Sequence, residues 1–229
     1  MFTPSSWTPA VRMGLSISLA TGLYGISFGA LAVAAGLNIW QAMALSALMF
    51  TGGSQFAFIG VIAGGGTGSA AAGAASLLRA RNAVYGMQMN RLLQPQGWRK
   101  AMAAQLTIDE SAATAAGQLQ AQEQQRGFWT AGVGVFVLWN AFTLLGAWLG
   151  DARGDPRQWG LDGAAVAAFL GLLWPRLQQR EPVALAVLCG VVTALAVPVL
   201  PPGMPILVAA MVGAAWGWWR SQRLSREAA

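Results

Sequence analysis

The sequence contains no histidine and a single cysteine, Cys189. Without imidazole there is no Ser-His nucleophile, no His-ligated metal and no histidine proton relay. A lone thiol forms no intrachain disulfide. Charge is scarce as well: 10% of the residues are Asp, Glu, Lys or Arg, against about 25% in a typical soluble domain. Between Met13 and Leu78 there is none at all. A stretch of that length holds about three spans of roughly 20 residues, and a soluble domain would have to bury all of it. No G-x-x-x-x-G-K-[ST] loop occurs, so no P-loop cradles a nucleotide phosphate.

What remains is apolar and basic. Of the 229 residues 55% are hydrophobic, and the formal net charge is +6. The basic residues stand at the ends of apolar runs rather than on one polar module, which fits membrane anchoring and gives no nucleic-acid surface. The run after Arg12 exceeds a signal-peptide core, so it reads as an uncleaved first span. The composition therefore predicts an all-α, polytopic transmembrane helix bundle, a single integral membrane domain over residues 1–229. About seven or eight helices are expected, with one or more broken or re-entrant.

Spans are expected at about Met13–Gly36, Gln41–Ala63, Ser69–Met89, Gly127–Gly150, Leu161–Trp174, Pro182–Val199 and Met204–Trp219. The weakly hydrophobic segment Ala101–Gln120 is open between a surface helix, a re-entrant segment and a polar-lined span. From Gln118 to Arg126 the chain reads as a solvated linker. If that segment does not cross, seven spans put Arg91, Arg99, Lys100, Arg176, Arg180 and the tail arginines in the cytoplasm, with Arg12 outside; if it crosses, there are eight. Gly25-Ile26-Ser27-Phe28-Gly29 and Gly146-Ala147-Trp148-Leu149-Gly150 both carry the small-xxx-small spacing that lets helices approach closely.

Four constellations interrupt the apolar background. Gly52-Gly53-Ser54-Gln55 reads as a helix break that exposes backbone groups to a substrate, or as a simple kink. Arg79-Ala80-Arg81-Asn82 with Tyr85 reads as a carboxylate clamp, with snorkelling to an interface as the plain alternative for Arg79. The adjacent acids Asp109-Glu110 can balance an arginine or take up a proton, or belong to a solvated loop. Gly160-Leu161-Asp162-Gly163 is an Asp at a helix start, which capping alone explains. An unpaired intramembrane arginine is costly, so Arg81 is expected to be balanced by Asp109 or Glu110.

These residues resemble the AzlC family of branched-chain amino-acid exporters. Phe50 and Gly52-Gly53-Ser54-Gln55-Phe56 are similar to its F-A-G-A-A-Q-F element, and Arg81-Asn82-Ala83-Val84-Tyr85-Gly86 resembles its N-x-R-H-x-x-Y-G stretch. Asp109-Glu110-Ser111 is similar to its T-D-E segment, and Gly160-Leu161-Asp162 with Phe169-Leu170-Gly171-Leu172-Leu173 to its G-L-D-F segment and following helix. Arg79 and Asn82 replace the family's Asn and His, and Ile108 its Thr. The resemblance implies a multi-pass protein of the plasma (cell inner) membrane that exports branched-chain or related small amino acids, valine-like, with a small membrane partner of the AzlD type.

The candidate substrate-binding or translocation residues are thus Gly52, Gly53, Ser54, Gln55, Arg81, Asn82, Tyr85, Asp109 and Glu110. The expected energy source is an ion or proton gradient, and the reading calls for no cofactor, no metal and no enzymatic step. A non-transporting subunit that scaffolds a partner is the alternative, although it would need no intramembrane polar cluster. An intramembrane hydrolase is disfavoured, because the only lysine, Lys100, lies in a loop and no second intramembrane Asp is evident.

Overall fold

A computed structural model describes residues 7–153, 170, 173, 174 and 177–227. Among these residues every helix is α apart from one short turn, and no strand occurs. In chain order the helices are α1 (Pro9–Ala34), α2 (Ile39–Met49), α3 (Gly52–Ala63), α4 (Gly68–Leu93), α5 (Trp98–Leu106), α6 (Asp109–Ala116), α7 (Ala121–Arg153), α8 (Arg180–Ala196) and α9 (Met204–Glu227). Local chemistry sets several starts. Thr8 accepts from the Val11 amide ahead of Pro9, Asn38 and Gln41 form a reciprocal capping box, and Thr67 accepts from the Ala70 amide.

Helices α1 and α7 form the frame. They run side by side in the same direction, with Gly14 against Ala131, Gly22 against Leu138 and Gly150 against Ala30. The two small-xxx-small motifs meet each other: a Cβ on Gly25 would lie 2.6 Å from the Trp139 carbonyl oxygen, and one on Gly146 would overlap Ile26. Glycine is required there because backbone meets backbone. Both helices are long and apolar enough to cross a membrane.

Directions of the remaining helices follow from their contacts with this frame. Ser46 bonds Thr143 at 3.3 Å and Phe50 stacks edge-on against Phe136 at 4.9 Å, so α2 runs opposite to α7. Helix α3 turns back: Gln55 donates to the carbonyls of Leu45 and Ser46 at 3.0 and 3.2 Å, a pairing symmetric about the Phe50–Thr51 corner. Together α2 and α3 are a helical hairpin with its tip at Phe50–Thr51. Helix α4, joined to α3 by a tight turn, then runs antiparallel to the frame.

A second hairpin enters from the other end. Gly127 packs on Thr114 and Gly132 on Leu106 and Ser111, so α6 runs opposite to α7, away from a tip at Thr107–Ile108. Helix α5 climbs to that tip from the end of α4. The tips meet, since Gln105 donates to the Ala47 and Leu48 carbonyls at 2.8 and 3.5 Å. Finally, α8 and α9 form an antiparallel pair. Their Pro202–Gly203 turn packs beside Val61, Gly64 and Ala70 at the α3–α4 turn, and Arg220 meets Glu181 at 2.7 Å at the opposite end.

Two expectations need correcting, and one left open is narrowed. Gln41–Ala63 is two antiparallel helices rather than one span with a break, because the corner falls at Phe50–Thr51 and Gln55 folds α3 against α2. Ala101–Gln120, left open above, contributes to a pair of helices, α5 and α6, that turns at Thr107–Ile108. The supposed linker before Arg126 is already helix, since α7 begins at Ala121 and the Glu123–Arg126 pair at 2.8 Å lies along it. Splitting two segments into hairpins is what raises the count above eight among the described residues. The Gly160–Gly163 constellation and most of the Leu161–Trp174 span lie outside the described residues.

Candidate functional site

The two tips face one cavity of about 200 Å³. Thr21 and Tyr24 of α1, Phe50, Thr51, Gly52, Gly53 and Phe56 of the first hairpin, and Arg81 and Asn82 of α4 line it. Ile108, Asp109 and Glu110 of the second hairpin and Val135 and Trp139 of α7 complete the wall. Phe28, Phe56 and Trp139 pack as an aromatic cluster at one side, with ring centroids 5.7–6.3 Å apart. One end of the cavity is therefore apolar.

Its polar parts differ in sign. At the first tip Thr51 precedes α3 without capping it, and the first intrahelical bond runs from the Gln55 amide to the Thr51 carbonyl at 3.1 Å. The amides of Gly52, Gly53 and Ser54 thus have no helical acceptor, and the positive end of the helix dipole points at the cavity. At the second tip Asp109 and Glu110 occupy the first turn of α6. Their carboxylates offset that helix's dipole and leave the surface acidic.

Arg81, near the middle of α4, reaches Asp109 with 2.6 Å between Nη2 and Oδ2. The expected balance of Arg81 by an acid of the 109–110 pair is met by Asp109. Asn82 donates to the Thr107 carbonyl at 3.0 Å, which ties α4 to the second tip. The Thr21 hydroxyl faces the Glu110 carboxyl from α1.

Five buried polar atoms of this lining have no hydrogen-bond partner: Thr51 Oγ1, Arg81 Nε, Asn82 Oδ1, Asp109 Oδ1 and Trp139 Nε1. A buried polar atom left unpaired costs about 1–3 kcal/mol. All five converge on this one cavity.

Six of the nine sequence candidates line this cavity: Gly52, Gly53, Arg81, Asn82, Asp109 and Glu110. Tyr85 does not; with Arg81, Asp109 and Glu110 it lines a second cavity of about 670 Å³ that continues along α4 and α6 past Gln88 and Ala116. Ser54 and Gln55 are fully buried behind the first tip, where Gln55 donates to the end of α2. Arg79 diverges from Arg81 and faces a groove between α2, α3 and α4, beside Leu45, Leu48, Phe58 and Ile62. Sequence reasoning missed Thr21, Tyr24, Phe50, Thr51, Phe56, Ile108, Val135 and Trp139 as lining. Thr51 had a signal, an N-cap residue type directly before the glycine pair, and Phe50 and Phe56 flank that pair in the family-like element; Val135 and Trp139 had none.

The family model for AzlC protein matches residues 16–152, more than half of the chain and every element that lines the cavity. No curated protein and no solved structure matches the chain.

Proposed function

Because the chain belongs to the AzlC family, a family of membrane proteins associated with branched-chain amino-acid transport, we propose that it is a multi-pass exporter of a small apolar amino acid. The observation that carries this reading is the convergence of unpaired polar atoms of both signs on one cavity with an aromatic end. A zwitterion fits it in one orientation. Its carboxylate meets the free amides of Gly52 and Gly53, the Thr51 hydroxyl and the outer edge of Arg81; its ammonium meets Asp109. The aliphatic side chain lies toward Phe50, Phe56, Val135 and Trp139. Half-helix ends that meet at mid-membrane are a recurrent way of holding such a substrate.

Lipid as the surrounding solvent is supported by the outer surface. Helix α8 buries none of its residues and turns Val187, Val191 and Leu195 outward, and Trp40, Leu48 and Val137 are exposed elsewhere. On this reading α1, α4, α7, α8 and α9 are the crossing helices among the described residues, and the two hairpins enter from opposite faces without crossing. Arg12, Arg91, Arg99, Lys100, Arg180 and Arg220 then share one face, while at the other the turns Ala35–Asn38, Gly64–Thr67 and Val197–Gly203 carry no charge and the end of α7 carries the offsetting Asp151 and Arg153. By the positive-inside rule the basic face is cytoplasmic, as is the start of α1, in place of the outside N-terminus that the seven-span reading required.

Counterflow in proteoliposomes tests the proposal. Labelled valine and leucine should exchange against unlabelled valine, and methionine more weakly, with a co-expressed small membrane partner raising the rate. If none of the three exchanges with or without the partner, the scaffold alternative replaces transport.

A further inference from the structure

Transporters with broken helices hold a coupling cation at the carbonyl ends of their half-helices. Here those ends are already filled by side chains. At the end of α2, Gln55 donates to Leu45 and Ser46 and Gln105 to Ala47 and Leu48, so the last carbonyls carry amide N–H donors. At the end of α5, Asn82 donates to the Thr107 carbonyl, Ser111 Oγ to Leu106 and the Thr107 hydroxyl to Ala103. A cation entering either end would have to displace these neutral donors.

The acidic tip offers a different carrier. Arg81 is engaged by Asp109, so one guanidinium serves two adjacent carboxyls. Among the described residues Glu110 has no ion-pair partner. From α1 it meets the Thr21 hydroxyl, with Tyr24 beside the same cavity; from α4 it meets Arg81, with Tyr85 beyond; from its own helix it meets Asp109. The facing parts of α3 and α7 add Gly52, Gly53, Phe56, Val135 and Trp139, none of them charged. Glu110 also lines both cavities, the central one and the one that continues past Gln88 toward the basic face. A carrier for a coupled ion needs that double access.

We propose that Glu110 is the coupling-proton site and that transport is proton antiport. This rests on the exporter reading given above. A proton on Glu110 leaves the cluster of Arg81, Asp109 and Glu110 neutral. A substrate ammonium arriving beside Asp109 places positive charge at the acidic tip while its carboxylate is held at the start of α3, and the Glu110 proton leaves to water through whichever cavity is open. Proton and substrate thereby exclude one another, which is the binding rule of an antiporter.

The test measures, in the same proteoliposomes, labelled valine flux and proton movement by a trapped pH dye in sodium-free choline buffer. The expected result is about one proton moved against each valine, a ratio that falls at least fivefold in Glu110→Gln and stays near one in Glu110→Asp. Absence of valine counterflow in the wild type overturns the exporter reading and this proposal with it. Valine flux without proton movement, flux that requires sodium, or an unchanged ratio in Glu110→Gln overturns the proton site alone. Should Glu110→Gln carry no flux, Glu110→Asp decides: coupled flux whose pH dependence is displaced from wild type supports the proposal, and flux without protons or with an unmoved pH dependence overturns it.

Discussion

The two hairpin tips share one cavity and are built from opposite chemistry. The first, Phe50-Thr51-Gly52-Gly53, has no charge and presents backbone amides at the start of α3. The second, Thr107-Ile108-Asp109-Glu110, has no glycine and presents two carboxyls at the start of α6. Equal helix dipoles point at the cavity from both sides, yet one tip leaves its positive end bare and the other covers it with acid. The difference gives the cavity a polarity, with an anion end and a cation end.

If the hairpins enter from opposite faces, labelling should separate them completely. In a Cys189→Ser background, Ser69→Cys at the base of the first hairpin should react with an impermeant maleimide from outside intact cells, whereas Gln96→Cys at the base of the second should react only after permeabilisation. Reaction of both from one side would mean that α4, which joins the two bases, does not cross. At the bare tip, Gly53→Leu should reduce valine flux at least tenfold with membrane abundance near wild type, because Gly53 is buried against the cavity and a leucine would fill the anion end. Flux within twofold of wild type would remove that tip from the binding site.

At the acidic tip, Arg81→Ala should lower stability by about 1–3 kcal/mol, seen as a fall in the detergent-solubilised Tm, together with loss of export. The side chains of Arg81 and Asp109 are 37% and 23% exposed, so the cost falls below that of a fully buried broken pair. Arg81→Glu combined with Asp109→Arg should recover more stability than either single change; a swap no better than the worse single variant would show that the pair adds nothing. The smallest effect is expected for Thr51→Val, which keeps the side-chain shape and removes the hydroxyl. Losing one hydrogen bond to a carboxylate, about 1.5 kcal/mol, should raise the KM for valine roughly tenfold with little change in Tm. An unmoved KM would place the carboxylate elsewhere.

Much of this site was legible in the chain, for identifiable reasons. Glycine pairs and intramembrane charge are expensive in a lipid-facing helix, so Gly52, Gly53, Arg81, Asp109 and Glu110 stood out against apolar surroundings. Gln55 stood out for the same reason and serves differently, because an amide that caps α2 and one that meets a guest look alike in one dimension. Trp139 and Val135 carried no signal, since an apolar residue on α7 reads the same whether it faces lipid, helix or cavity.

The sequence by itself determined the helical class, the family and the chemistry available at the site. Each depends on residue type and local spacing, which composition and motifs record directly. Only the tertiary structure decided which way the short helices run, that Gln41–Ala63 and Trp98–Ala116 fold back on themselves, and that Arg81 turns to Asp109 while Arg79 turns away. The physical reason is symmetry. The apolar pattern of a helix is the same read in either direction, and a corner such as Phe50–Thr51 suits a kink as well as a hairpin. The choice falls to long-range contacts, Gln55 with Leu45 and Gln105 with Ala47, that no local pattern encodes.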